Sequence, residues 1–251
     1  MSVVQSSIAD GIGRITLNRP ERMHAITAEL ARDLEDALRE LSRDPAANVI
    51  VIRGAGKNFC AGGDVAEVES LRSAGPQALR TLFEKFRRAC DAIAEVEVPV
   101  VAAVEGAAMA GGFELMQAAD IVLISDDAKI ADNHVNFGMI PGGGSTQRLP
   151  GLVGRQTALG LLLSGDRLSG QDALRLGLAY RSFAPQDFDI RVDQFVGELA
   201  GRDRRAVVAI KKLVAGARPQ PQAQGLDDEI SAVVAHICGR GVAEFSRIGT
   251  A

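Results

Sequence analysis

Two glycine-rich stretches contain the backbone groups and side chains best suited to chemistry. The first runs from Phe59 to Val65, and the second runs from Gly106 to Leu115 and includes Glu114. Small residues let a ligand approach the backbone closely, and a helix start presents free N–H groups with partial positive charge. Two N–H groups directed at one oxygen would form an oxyanion hole, which stabilises negative charge in a transition state. Glu114, just inside the second helix start, could reach the same site.

The sequence lacks the motifs of nucleotide, metal and nucleophilic-serine sites. The segment from Gly54 to Lys57 has neither the glycine spacing nor the following Ser or Thr of a phosphate-binding loop. The three histidines have no spacing typical of metal ligands. A triad of Ser145, His134 and Asp132 is disfavoured, because no Gly-x-Ser-x-Gly elbow is present. We therefore expect no metal and no nucleotide or redox cofactor.

The overall composition is that of an ordinary globular protein. The chain has 251 residues and a net charge of −4, and no stretch is dominated by Lys and Arg, which argues against nucleic-acid binding. No run of about 18 apolar residues is present, so we expect no membrane span. The N-terminus shows no basic region followed by an apolar run, so no signal peptide is expected. Three widely spaced cysteines indicate buried thiols in a reducing compartment, and we expect a cytoplasmic protein.

Hydrophobic patterns predict the elements that would position the two stretches. Short apolar or alternating runs predict strands at Ile12–Leu17, Val49–Ile52, Val100–Val104 and Ile121–Ile124. Thr27 can cap a helix whose apolar face consists of Leu30, Leu34, Leu38 and Leu41. From Asp187 onward the pattern is helical. We therefore predict an α/β core at 1–185 and a helical C-terminal region at 186–251.

The two glycine-rich stretches, in this order, resemble those of the enoyl-CoA hydratase/isomerase (crotonase-like) family. Four further segments extend the resemblance, at residues 17–20, 98–106, 138–149 and 163–167. The resemblance implies an α/β fold: a crotonase-like spiral of ββα units with two nearly perpendicular sheets and a C-terminal helical trimerisation region. It also implies a homotrimer or a hexamer made of two trimers, and an acyl-coenzyme A thioester as substrate.

The resemblance also implies roles for individual residues. The N–H groups of Ala61 and Gly111 would hold the thioester oxygen, and Glu114 would be a catalytic acid or base. Coenzyme A would enter as part of the substrate, with no separate cofactor. The residues implied in substrate binding lie on several loops: Arg22, Met23, His24, Gly62, Gly63, Asp64, Met109, Met139, Pro141 and Phe245.

His134 departs from the family pattern at a catalytic position. The family's hydratases carry a second glutamate four residues before the glycine that matches Gly138, and this chain has His134 there. His134 could act as the second acid or base, because imidazole titrates near neutral pH. Alternatively, Glu114 acts alone, His134 serves another reaction of the superfamily, or His134 only lines the acyl pocket. Asp132 is close in sequence, but a shift of two residues need not point its carboxylate into the site.

The chemistry that the resemblance implies passes through a stabilised thioester enolate. Hydration of a 2-trans-enoyl-CoA to a 3-hydroxyacyl-CoA is the predicted reaction. Two alternatives use the same oxyanion hole: an enoyl-CoA isomerase and a C–C hydrolase of a β-diketone. A third alternative is a non-catalytic protein that binds acyl-CoA.

Overall fold

A computed structural model describes residues 2–216 of the chain. Contacts divide the chain into two compact units, residues 1–201 and residues 202–251. The first unit contains both glycine-rich stretches, and it also contains the helix at Phe188–Ala200, which the sequence places in the C-terminal region. In the second unit, the described residues form the helix at Arg204–Gly216. No helix within residues 2–216 has the length and apolar character needed to cross a bilayer.

Strands and helices alternate along the chain, which confirms the predicted α/β class. The strands are β1 (Val4–Ala9), β2 (Ile12–Leu17), β3 (Val49–Gly54), β4 (Val100–Val104), β5 (Ala107–Met109), β6 (Ile121–Ser125), β7 (Lys129–Ala131), β8 (Leu168–Ser169) and β9 (Arg181–Phe183). The α-helices are α1 (Ala28–Arg43), α2 (Val65–Ala74), α3 (Pro76–Glu95), α4 (Gly111–Ala118), α5 (Ser145–Val153), α6 (Arg155–Ser164), α7 (Gly170–Leu176), α8 (Phe188–Ala200) and α9 (Arg204–Gly216). Short 3-10 helices lie at Pro20–Arg22 and His134–Phe137.

Within residues 2–216, six strands form the larger sheet, in the order β1-β2-β3-β4-β6-β9. β1 and β2 are antiparallel and meet at a tight turn, where Asp10 and Gly11 have positive φ values of 54° and 78°. The other neighbouring strands in this sheet are parallel. Parallel strands are covered on both faces, which explains why the predicted strands β3 and β4 are continuous apolar runs.

Helices cover both faces of the larger sheet. On one face, Val49, Val51 and Val101 belong to a buried cluster with Phe188 and Val192 of α8. On the other face, α1 begins as the sequence predicts, because the Thr27 side chain accepts a hydrogen bond from the first turn of the helix at 3.1 Å. The four predicted leucines of α1 are buried, and α1 packs against α3.

The smaller sheet brings the two glycine-rich stretches together. Its strands have the order β5-β7-β8, with β5 and β7 parallel and β7 and β8 antiparallel. Ala108 of β5 also pairs with Cys60 of the first stretch through an isolated β-bridge. β5 leads directly into α4, so this pairing fixes the first stretch beside the start of that helix.

Candidate active site

A cavity of about 410 Å³ lies where the two glycine-rich stretches meet. Glu114, Asn133 and His134 supply the polar side chains of its wall. Among residues 2–216, the rest of the wall is backbone and apolar side chains, the larger of which are Met23, Ile26, Val65, Val68, Leu82, Phe83, Phe86, Met109, Phe137 and Met139. A concave apolar site with a few convergent polar groups is typical of a small-molecule site.

Glycine is required where the two stretches touch. A Cβ at Gly112 would lie 2.1 Å from the carbonyl oxygen of Cys60, a distance that no side chain can occupy. Gly62 has φ +99°, and a Cβ there would lie 2.9 Å from both the Ala110 Cβ and the Met109 carbonyl oxygen. The glycines therefore permit the close backbone contact that builds the cavity wall.

The backbone N–H groups at the cavity correct one prediction from the sequence. The Ala61 N–H donates a hydrogen bond to the Met23 carbonyl at 2.9 Å, so this predicted oxyanion donor is already occupied. The first stretch pairs with Ile26 through two hydrogen bonds: the Ile26 N–H donates to the Gly62 carbonyl, and the Asp64 N–H donates to the Ile26 carbonyl. Because successive N–H groups of an extended chain point to opposite sides, the Gly63 N–H points away from Ile26. Gly63 lines the cavity, and its N–H has no hydrogen-bond partner within residues 2–216. Of these two N–H groups, that of Gly63 is available to a ligand, and that of Ala61 is not.

The second predicted donor, Gly111, lies at the first position of α4 and lines the cavity. Its N–H has no acceptor among the described residues, as expected for the first turn of a helix. The preceding residue, Ala110, has φ 48° and ψ −115°, a conformation that costs about 1–3 kcal/mol. The Ala110 N–H donates to the Ala131 carbonyl of β7 at 2.9 Å, which holds this turn in place.

Glu114 is a buried carboxylate with one oxygen fixed and one oxygen free. Its side chain is 2% exposed, and Oε1 accepts hydrogen bonds from the N–H groups of Gly143 at 2.7 Å and Ser145 at 3.0 Å. Oε2 makes no hydrogen bond to the described residues. Burial raises the pKa of Glu114, while the two N–H groups and the nearby His134 oppose that rise. This arrangement presents a basic oxygen to the cavity.

His134 faces that free oxygen from the 3-10 helix that follows β7. Its Nε2 lies 3.9 Å from Oε2 of Glu114, a separation too long for a direct hydrogen bond. Its Nδ1 lies 2.6 Å from Oδ1 of Asp132, so the ring donates Nδ1–H to that carboxylate. Burial opposes a charged ring, but the hydrogen bond and charge of Asp132, with the charge of Glu114, outweigh burial and raise the pKa of His134.

The sequence predicts that His24 binds substrate, but its ring makes its contacts within the fold. The residue is fully buried, its Nδ1 accepts a hydrogen bond from the Arg19 N–H at 3.0 Å, and its Nε2 lies 2.9 Å from the Ala55 carbonyl. Both ring nitrogens are therefore used within the fold, and burial lowers the pKa of His24. The ring joins the loop after β2 to the loop after β3.

The Asp64 carboxylate is likewise used by the fold. It accepts hydrogen bonds from the N–H groups of Ala66 at 3.1 Å and Glu67 at 3.2 Å, and so caps α2. It also pairs with Arg19 at 2.9 Å. Burial opposes the charged form of Asp64, but these contacts lower its pKa. The side chain fixes the first glycine-rich stretch instead of contacting the cavity.

The remaining predicted substrate-binding residues fall into three groups. Met23, Gly63, Met109 and Met139 line the cavity. Gly62, Arg22 and Pro141 do not contribute to its wall, and Arg22 is exposed to solvent. Phe245 lies outside the described residues.

Several functional groups were not anticipated from the sequence. The Gly143 and Ser145 amides hold Glu114, and the glycine run before α5 was the available signal for a tight approach there.

The Ser145 hydroxyl accepts a hydrogen bond from Gln117 at 2.7 Å, and among the described residues it makes no bond to His134, so no triad forms. Asn133 lines the cavity, and its buried Oδ1 has no partner in the part of the chain described. Residues 2–216 contain no cluster of three or more metal-binding side chains.

Comparison with known proteins gives consistent matches over most of the chain. A model of the family "Enoyl-CoA hydratase/isomerase" matches residues 7–238. The mitochondrial enoyl-CoA hydratase of Pongo abelii is 33% identical over 215 residues, which cover 85% of this chain and 72% of that protein. The peroxisomal Delta(3,5)-Delta(2,4)-dienoyl-CoA isomerase of Arabidopsis thaliana is 30% identical over 237 residues, which cover 90% of this chain and 85% of that protein.

Solved structures show the same fold. A crystal structure of an enoyl-CoA hydratase from Polaromonas sp. JS666 has a TM-score of 0.91 and 30% identity, and the match covers 96% of each chain. An enoyl-CoA hydratase structure from Bacillus anthracis has a TM-score of 0.91 and 26% identity, with 98% of this chain and 95% of that chain covered.

Proposed function

The chain belongs to the enoyl-CoA hydratase/isomerase family, and from this membership we propose that it adds water to a 2-trans-enoyl-CoA to give a 3-hydroxyacyl-CoA. One observation carries the proposal. Glu114 Oε2 and His134 Nε2 face each other across 3.9 Å, beside two backbone N–H groups that lack acceptors among the described residues. A site built in this way can supply an acid, a base and an oxyanion hole without a metal.

The N–H groups of Gly63 and Gly111 are the proposed oxyanion donors. Both residues line the cavity, and the two stretches touch, since a Cβ at Gly111 would lie 3.6 Å from the Gly62 Cα. Water adds to the β-carbon only if the charge that moves onto the thioester oxygen is stabilised as it develops. Donors already in place do this without reorganisation, and each is typically worth about 2.7–4 kcal/mol of transition-state stabilisation.

Glu114 is the proposed base and His134 the proposed acid. The water oxygen bonds to Cβ, the water proton moves to Glu114 Oε2, and the double-bond electrons move toward the thioester oxygen. The Nε2–H of His134 then gives a proton to Cα, and the carbonyl forms again. The Asp132 contact favours a protonated His134 ring. Burial opposes ionisation of Glu114 and raises its pKa, and the two N–H groups and His134 counter that effect. The proposed reaction begins with an ionised Glu114 and a protonated His134. A proton passing from Glu114 to His134 completes the cycle.

The apolar wall of the cavity supports an acyl chain as the group that binds there. Leu82, Phe83 and Phe86 of α3 line the cavity together with Met109 and Met139. Burial of an alkyl chain against such side chains stabilises binding by about 0.8 kcal/mol for each CH₂ group. Coenzyme A is proposed to enter only as part of this thioester substrate.

Isomerisation of an enoyl-CoA is the second candidate, and the dienoyl-CoA isomerase of Arabidopsis thaliana supports it. The same oxyanion hole would stabilise the intermediate, and one of the two side chains would move a proton between carbons. No water would then enter the product.

The test is to mix the purified protein with 2-trans-enoyl-CoA and 3-enoyl-CoA thioesters of several chain lengths. Hydration predicts loss of the ultraviolet absorbance of the conjugated thioester and a product heavier by one water. Turnover of the 3-enoyl substrates without a gain of water would identify an isomerase. Binding of every substrate with no product would contradict both reactions and favour a non-catalytic acyl-CoA-binding protein.

Assembly into a homotrimer or a dimer of trimers is also proposed. Phe137, Ile140 and Leu163 are 72%, 82% and 71% exposed in the single chain, and such apolar surface commonly marks an interface. Light scattering at several protein concentrations would measure the assembly, and a monomer throughout would contradict this proposal.

A further inference from the structure

We propose that Asp132 is a positioning residue that holds Nδ1–H of His134, so that Nε2 faces the cavity and carries the second proton when the ring is charged. This inference rests on the proposed function for its consequence, but its geometry is independent of which family reaction occurs. Asp132 itself does not line the cavity, and it acts through the histidine.

The contacts of Asp132 show that His134 is its main partner. The residue is 2% exposed, and its Oδ1 lies 2.6 Å from Nδ1 of His134. Its Oδ2 is buried and has no hydrogen-bond partner within residues 2–216. A buried carboxylate oxygen without a partner costs free energy, so this side chain is poorly explained as a stabilising element of the fold. It is well explained as an acceptor for the imidazole.

The backbone around Asp132 is held firmly enough for such a role. The preceding residue, Ala131, is the last residue of β7 and pairs with Met109 of β5. Its carbonyl also accepts the Ala110 N–H, at the turn that leads into α4. Asp132 therefore comes directly after the strand that supports the proposed oxyanion-hole backbone. Through Asp132, the position of the imidazole is fixed relative to that strand.

In the described part of the chain, two charged groups act on the His134 ring: Asp132, from the segment after β7, and Glu114, from α4. The helix α6 packs against the 3-10 helix of His134, but its single charged residue, Arg155, is exposed at the first position. With Nδ1–H donated to Asp132, the second ring nitrogen, Nε2, is the one that faces Glu114. The carboxylate also favours a charged ring, so His134 can hold the proton that the reaction needs near neutral pH.

The direct test is a histidine NMR titration of the full-length protein, labelled with nitrogen-15 on the imidazole rings. His134→Gln assigns the signal of this ring among the three histidines of the chain. In the wild type, we expect the neutral ring to carry its proton on Nδ1 and the pKa to lie above the ordinary value. In Asp132→Asn, we expect a lower pKa, and Asp127→Asn, at an exposed position before β7, should leave the titration unchanged.

The kinetic counterpart is the pH dependence of kcat. If His134 is the acid, activity falls as pH rises through its pKa, and Asp132→Asn should move that fall to lower pH. Loss of correctly held acid catalysis should reduce kcat by about 10²-fold or more, because general acid catalysis contributes about 10²–10⁴-fold. Asp132→Glu should restore part of the loss, because it restores the charge. A merely structural residue would lower stability without moving the pH profile.

Two results would overturn the inference. The first is an unchanged His134 titration in a folded Asp132→Asn protein. The second is a neutral ring protonated on Nε2 in the wild type, which is decisive even if the variant does not fold. Because the titration requires no turnover, it separates this inference from the proposed hydration: absence of hydration with the expected titration would refute the reaction and leave the Asp132–His134 pair intact.

Discussion

Replacement of Glu114 by Gln should separate the chemistry of this residue from its contribution to the fold. Oε1 of Glu114 accepts two backbone hydrogen bonds, from Gly143 at 2.7 Å and Ser145 at 3.0 Å. The carbonyl oxygen of a glutamine can accept the same two bonds. Its amide group would then occupy the place of Oε2, 3.9 Å from the His134 ring, and an amide cannot accept a proton from water.

The expected loss follows from the role of a general base. General acid–base catalysis contributes about 10²–10⁴-fold, so Glu114→Gln should lower kcat by about that factor, which corresponds to about 2.7–5.4 kcal/mol of activation free energy. The free energy of unfolding should change little, because both buried N–H groups keep an acceptor. Glu114→Ala should differ in stability, because it leaves both N–H groups unsatisfied at a cost of about 1–3 kcal/mol each.

The assay is the loss of absorbance from a 2-trans-enoyl-CoA, measured beside urea unfolding of each variant. Glu105→Gln is the matched control, because Glu105 is partly buried with a pKa also raised by burial, yet it lies outside the cavity wall. Wild-type kcat in the Glu114→Gln protein would refute the assignment of Glu114 as the base. Equal loss of activity in the Glu105→Gln protein would show that the effect is not specific to the site.

Three further predictions concern the backbone contact, the helix cap and pH. Gly112→Ala should lower both activity and the melting temperature, because its Cβ would lie 2.1 Å from a carbonyl oxygen. The control, Gly160→Ala, places a Cβ in open space on α6 and should preserve activity. Equal behaviour of the two variants would contradict the packing argument. Thr27→Ala should lower the free energy of unfolding by about 1 kcal/mol in urea and leave kcat unchanged, and no loss of stability would show that the cap is unimportant. The pH profile of kcat should be bell-shaped. Activity should fall at low pH as Glu114, whose pKa is raised by burial, becomes protonated, and it should fall at high pH as His134 loses its proton. A profile that is flat at both low and high pH would exclude this pair.

The sequence predicted the elements around the site better than the directions of its groups. Apolar runs identified β3 and β4, and Thr27 with the leucine spacing identified α1, because burial and capping are local properties of the chain. The helix at Phe188–Ala200 was assigned to the C-terminal region because its pattern is helical. Its apolar side chains instead complete the core of the sheet, and such long-range packing is not visible in periodicity.

The details of the site depended on hydrogen bonds between distant segments. The motif that resembles the family did not reveal which amide points inward, and the Ala61 N–H is occupied by the Met23 carbonyl. The His24 ring resembles a binding group in sequence but is used on both nitrogens by neighbouring loops. Asp132 was left open because its direction depends on the turn after β7, and the structure directs it at the His134 ring. These directions require the tertiary fold, because neither propensity nor spacing encodes them.

The most direct measurement of the central claim is a crystal structure of the Glu114→Gln protein with a bound 2-trans-enoyl-CoA. We expect the thioester oxygen to lie about 2.7–3.1 Å from the amide nitrogens of both Gly63 and Gly111, with the double bond between residue 114 and Nε2 of His134. A thioester that turns away from these amides, or an acyl chain bound outside the cavity, would contradict the account.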